Sequence, residues 1–167
     1  MAPHHTCSVA YQPHDHHHCI DDALISAKKV CVEQGAKLTP LREKVLALIW
    51  QSHKPLGAYE ILAALSEHEK RTAAPPTVYR ALDFLQAQGL VHRIASLNAY
   101  IGCCHPEQAH RCEFLICRDC GITIETHDDL QSSLSSHTAH GFKVEKITLE
   151  IMGLCPTCQQ KNAAVQQ

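Results

Sequence analysis

Two cysteine pairs, Cys117-Arg-Asp-Cys120 and Cys155-Pro-Thr-Cys158, share a spacing that lets both thiolates of a pair face one ion. Four thiolates complete a tetrahedral zinc shell and leave no open position, so the chemistry they imply is structural rather than catalytic. Such a site ties a C-terminal segment back onto earlier strands and converts binding free energy into folding free energy. The same spacing occurs in redox-active pairs, but those normally sit alone at a helix N-terminus, whereas these two bracket a whole segment.

A second concentration of ligands lies upstream, in Cys103-Cys104-His105-Pro-Glu-Gln-Ala-His110-Arg-Cys112. His92 and Glu125 flank it and could converge on it. A site drawing on two domains and their hinge can sense an ion, provided that the ion binds one arrangement better than the others. Spacing alone leaves open which of Cys103, Cys104 and Cys112 takes part, and the plain alternatives are a surface histidine at 92 and an exposed charge at 125.

The ten cysteines of the 167-residue chain read better as reduced metal-binding thiols than as a disulfide scaffold, because most of them sit near histidines or in paired knuckles. Several of the fourteen histidines, His4, His5, His14, His16, His17 and His18, crowd one Pro-rich polar tail that reads as disordered; it could buffer zinc or nickel or be an ordinary extension. No apolar run is long enough to span a membrane and no basic region leads into an apolar one, so the expectation is a cytoplasmic protein without a membrane partner. Residues 21–100 carry ten basic against eight acidic side chains and residues 101–167 five against eight, an asymmetry that permits DNA contact by the first half without requiring it.

The elements that must position these groups fall into two sets. Helical periodicity predicts a first helix over Asp21–Gln34, stopped by Gly35, and a second that opens at Thr39-Pro40 and ends near His53. After a turn at Lys54–Gly57, a third helix is expected over Tyr59–Glu67, and a fourth from Pro76, closed by Gly89, with Val78, Leu82 and Leu85 inward and Arg80 opposite. Leu90–Ile94 and Asn98–Ile101 then form a hairpin. Helices followed by a hairpin describe a winged helix. Beyond Cys112, strands are expected at Glu113–Ile116 and Ile122–Thr126, a helix at Asp128–His140, and a long bulged strand over Phe142–Ile151. The fold class is therefore α+β, an N-terminal winged-helix domain followed by a small α/β domain that needs a metal staple, a partner copy or both. The expected organisation is a disordered tail at 1–20, the winged helix at 21–102, a ligand-bearing hinge at 103–111, the α/β domain at 112–158 and a disordered end at 159–167.

In order along the chain, Leu38-Thr-Pro-Leu-Arg42, Ala58-Tyr59-Glu60, Pro76-Thr77-Val78-Tyr79-Arg80-Ala81-Leu82, Gly89-Leu-Val-His92, Cys117–Gly121 and Gly153-Leu-Cys155–Cys158 resemble the ferric uptake regulator family, most closely its zinc-responsive branch. The resemblance covers roughly residues 21–158. It implies a homodimer whose winged helices bind a palindromic operator in double-stranded DNA and repress zinc-uptake genes, with about two zinc ions per chain. The fourth helix would enter the major groove, with Arg80 on a purine edge, Tyr59 near a base or its backbone, and Thr77 and Tyr79 positioning on phosphate. A half-buried packing role is the alternative for Tyr79.

The resemblance also implies a regulatory zinc held by His92, Cys103, His110 and Glu125, beside the structural zinc of Cys117, Cys120, Cys155 and Cys158. One departure is a loop between Cys103 and His110 that is a residue shorter than in the relative considered, with Cys104 adjacent and able to substitute as the thiolate. A thiolate in the sensing set favours zinc over the iron, manganese or peroxide sensors of the same family. Glu113 and His140 offer at most a further weak site. A zinc hydrolase or deaminase would need an open coordination position beside a general base, and neither the motifs nor the closed four-thiolate site provide one, so no enzyme is expected.

Overall fold

The computed structural model describes residues 15–69, 74–108, 112–126 and 147–165. The chain divides into two compact units, an N-terminal one over Gln12–Gln108 and a C-terminal one built on Ala109–Gln167.

In the N-terminal unit, α1 (His16–Glu33) and α2 (Pro40–Trp50) are followed by a two-residue strand β1 (Leu56–Gly57), then α3 (Ala58–Glu69) and α4 (Pro75–Ala87). A hairpin of β2 (Val91–Ile94) and β3 (Ala99–Gly102) closes the unit as a wing. Helix α1 starts at His16, ahead of the expected Asp21, because the Asp15 carboxylate accepts from the His17 N–H at 2.9 Å and caps the first turn. Residues 16–20 are therefore helical and not part of a disordered tail. At α2 the cap works differently from the expectation: Thr39 occupies the N-cap but its hydroxyl makes no cap hydrogen bond, so Pro40, with its preset φ, supplies the preorganisation. The turn at Lys54–Gly57 contains β1, which pairs Leu56 with Tyr100 and makes the sheet three-stranded in the order β1-β3-β2.

The core of this unit is one contiguous cluster. Ala27 and Val30 of α1, Val45, Leu46 and Ile49 of α2, Ile61 and Leu65 of α3, and Val78, Leu82 and Leu85 of α4 are all buried within it. Each fully buried Leu or Ile contributes roughly 1.5–3 kcal/mol. The Val78, Ala81, Leu82 and Leu85 spacing gives α4 a single inward stripe and leaves Thr77, Tyr79 and Arg80 facing out. At the edge of that core the Arg42 guanidinium lies 3.4 Å from the centroid of the Phe84 ring, a cation–π contact between α2 and α4.

In the C-terminal unit, β4 (Cys112–Cys117) pairs antiparallel with β5 (Thr123–Thr126) and parallel with β6 (Thr148–Gly153), in the order β5-β4-β6. The helix expected at Asp128–His140 and the bulged start of the last strand lie outside the described residues. A final helix, α5 (Pro156–Val165), runs through much of the segment expected to be disordered at 159–167. Its order has local causes: Gln159 Nε2 donates to the Leu154 carbonyl at 2.7 Å, and Asn162 Nδ2 donates to Asp119 Oδ2 at 2.8 Å, pinning the helix to the knuckle after β4. Among the described residues no helix is long and apolar enough to cross a membrane.

Candidate metal centres

Cys117 ends β4 and Cys120 follows in a tight knuckle. The Cys117 N–H donates to the Ile122 carbonyl at 2.8 Å and the Gly121 N–H to the Cys117 carbonyl at 2.9 Å. Gly121 closes the turn at φ +75°, in the left-handed region where a Cβ is strained. Cys155 lies just beyond β6 and Cys158 in the first turn of α5, so the parallel β4–β6 register and α5 bring the second pair onto the first. All four sulfurs lie within 4.8 Å of one another, with Cys120 and Cys155 only 3.7 Å apart, and none is in a disulfide.

The electrostatics of the four thiols explain why the group wants a cation. Burial alone raises the Cys117 thiol, yet the backbone N–H groups of Cys120, Cys155 and Asp119 converge on its sulfur and hold it down at about 6. Cys158 is pushed up to about 12 by its hydrogen bond with Cys155, by burial, and by the Cys120 and Cys117 thiols beside it. The Cys117 thiolate thus forms readily, whereas Cys120, chiefly through burial, and Cys158 resist ionisation. A divalent ion reverses that penalty, and the donor set fits tetrahedral zinc.

In the N-terminal unit the wing carries the next pair. His92 opposes Ile101 and Val91 opposes Gly102, so Cys103, whose N–H donates to the Leu90 carbonyl at 3.0 Å, lies diagonal to His92 on the same face. Their ligand atoms are within 4.8 Å, and the two residues are only 8% and 3% exposed. The surface-histidine reading of His92 is therefore excluded. Cys103 is not in a disulfide, whereas Cys104 is, which departs from the expectation that the cysteines are all reduced. The Lys29 ammonium meets the Glu107 carboxylate at 2.6 Å and holds the segment after Cys103 against α1. Glu125 sits on β5 of the C-terminal unit and is buried, not exposed. His110 and His140 lie outside the described residues, and Glu113 is buried on β4.

The residues expected to face DNA are exposed on two helices. Tyr59 is 73% and Tyr79 40% exposed, and Thr77 and Arg80 are exposed beside Tyr79 on α4. Glu60 Oε2 accepts from the Gly57 N–H at 2.7 Å, fixing the start of α3 and with it the direction of Tyr59.

Spacing did not assemble a third group. His16 and Cys19 on α1 and His53 after α2 also place their ligand atoms within 4.8 Å of one another. The H-x-x-C step was the available signal, but the tail reading absorbed it.

A winged helix, combined with buried thiolate and imidazole groups of metal-binding geometry, defines a class of metal-binding regulatory protein. Residues 33–152 match the Ferric uptake regulator family, and the chain belongs to that family of regulators, not to an enzyme family. It is 36% identical to the zinc uptake regulation protein of Escherichia coli strain K12 over 148 residues, covering 85% of this chain and 84% of that one. A structure described as a zinc uptake regulator complexed with zinc and DNA superposes with a TM-score of 0.77 at 36% identity, over 86% of this chain and 97% of that one. Holo XcZur superposes with a TM-score of 0.74 at 44% identity, over 82% of this chain and 96% of that one.

Proposed function

We propose that this chain is a zinc-responsive repressor that binds a palindromic operator as a zinc-loaded homodimer and shuts off zinc-uptake genes. The observation that carries this reading is the buried His92–Cys103 pair on the wing. An imidazole joined to a thiolate selects zinc over ferrous iron, and it belongs to the hairpin of the unit that presents Tyr59, Thr77, Tyr79 and Arg80. His92, Cys103, His110 and Glu125 hold the regulatory ion, and Cys117, Cys120, Cys155 and Cys158 the structural one, about two zinc ions per chain. The first stabilises one conformation over others, and the second is a closed staple.

On DNA, α4 enters the major groove, Arg80 reads a purine edge, and Tyr59, Thr77 and Tyr79 position the helix on the backbone. Dimerisation is supported by an apolar row across the C-terminal sheet. Leu115 opposes Ile124 on one side and Ile151 on the other, and it is 42% exposed beside a groove of about 270 Å³. A second copy of this unit is the occupant that buries that row. A palindromic operator follows from the two-fold symmetry of such a dimer on its half-sites.

The test is operator affinity measured against buffered free zinc, ferrous iron and manganese. Zinc is expected to raise affinity at the lowest free concentration, and Cys103→Ser to abolish the rise. Activation by iron or manganese with no zinc response transfers the protein to the iron, manganese or peroxide sensors of its family.

A further inference from the structure

We infer that His16, Cys19 and His53 form a third zinc-class metal site, within the N-terminal unit and separate from the two centres above. His16 and Cys19 are three residues apart on α1 and so share a face of its first turns. His53 follows the C-terminal end of α2. Because α1 and α2 run as a hairpin joined through residues 34–39, the start of α1 lies beside the end of α2, at the open end of the pair opposite the connecting loop.

Three features make the group a ligand set rather than a chance neighbourhood. The two imidazoles and the thiol bring ligand atoms within 4.8 Å of one another. The His16 and His53 rings are 5.1 Å apart between centroids and tilted by 50°, so they do not stack flat but angle toward each other. Cys19 is a reduced thiol, and all three residues are half-buried. The Asp15 cap on the His17 N–H fixes the turn that carries His16.

Two nitrogens and one sulfur are borderline-soft donors that suit zinc, and cobalt as its spectroscopic substitute. Three protein ligands leave a fourth position for water, the mark of an exchangeable site and not of a closed staple. The ion clamps the first turns of α1 to the end of α2. The exposed His17 and His18 on the same turns adjoin the site without belonging to it.

The full chain tests this by metal content at saturating buffered zinc and by cobalt titration. The third ion is scored as a difference between variants, so the result does not depend on the occupancy of the sensing site. Cys19→Ser and His53→Ala are each expected to lose one ion relative to the unmodified chain, and Cys19→Ser to remove one thiolate-to-cobalt absorption component. A variant with His4, His5, His14, His17 and His18 all replaced by Ala is expected to retain the ion. Unchanged stoichiometry in both single variants overturns the site, as does loss of the ion in the five-histidine variant, which would place it in the tail. Retention of the other zinc ions in each variant shows that the chain still folds.

Discussion

Gly102 lies under the indole of Trp50, so closely that a Cβ on residue 102 would stand 2.2 Å from the ring. The pair joins the end of α2 to the end of β3, one residue before Cys103, so the thiolate of the wing is positioned from the helical core. Gly102→Ala should destabilise the N-terminal unit by about 1–3 kcal/mol through overpacking. It should also weaken zinc binding by the sensing set. Urea unfolding measures the first effect, and a Gly102→Ala/Trp50→Leu double variant that recovers stability identifies the clash as its cause. Equal stability of the single variant and the parent contradicts the packing.

The four-thiolate centre should behave as a staple. Cys155→Ser, and separately Cys120→Ser, should each lose one tightly held zinc per chain, lower the thermal midpoint and shift the protein from dimer to monomer in sedimentation. Because the centre is closed, a chelator that strips the sensing ion within minutes should leave it in place. Extraction of both ions at the same rate would mean that the site is open.

Much of this was legible in the sequence, for reasons that differ by element. The α4 stripe and the wing announced themselves through local periodicity and Gly89, and the paired C-x2-C spacing carries its chemistry on its face. What was missed depends on partners distant in sequence. Strand β1 exists only because Leu56 and Gly57 pair with Tyr100 and Ala99, and its own residues read as a turn. The parallel pairing of β4 with β6 has no local signal, and α5 is pinned from Asp119. The start of α1 was hidden by its histidines, which read as tail, although Asp15 is an ordinary N-cap. Diagonal placement of His92 and Cys103 was implicit in the hairpin register but needed Val91 opposite Gly102 to be known.

Arg80 should matter for DNA alone. Arg80→Ala should weaken operator binding by about 1–3 kcal/mol, roughly 5- to 150-fold, and relax discrimination at one base pair, with zinc content and stability unchanged. Fluorescence anisotropy on operator and single-base variants measures this. A uniform loss on every sequence would reassign Arg80 to phosphate.

Cys103 and Cys104 should separate cleanly. Cys103→Ser should abolish zinc-dependent operator binding, whereas Cys104→Ser should leave it within a few-fold of the parent, and the same anisotropy titration against buffered zinc reads both. The reverse pattern would move the ligand to Cys104.

The most direct measurement is calorimetric titration of zinc into the protein carrying only its structural ion, with and without operator duplex. If the regulatory ion favours the DNA-binding conformation, linkage requires the ion to bind more tightly when duplex is present, by about 5- to 150-fold. The same zinc affinity in both titrations would contradict zinc-dependent repression.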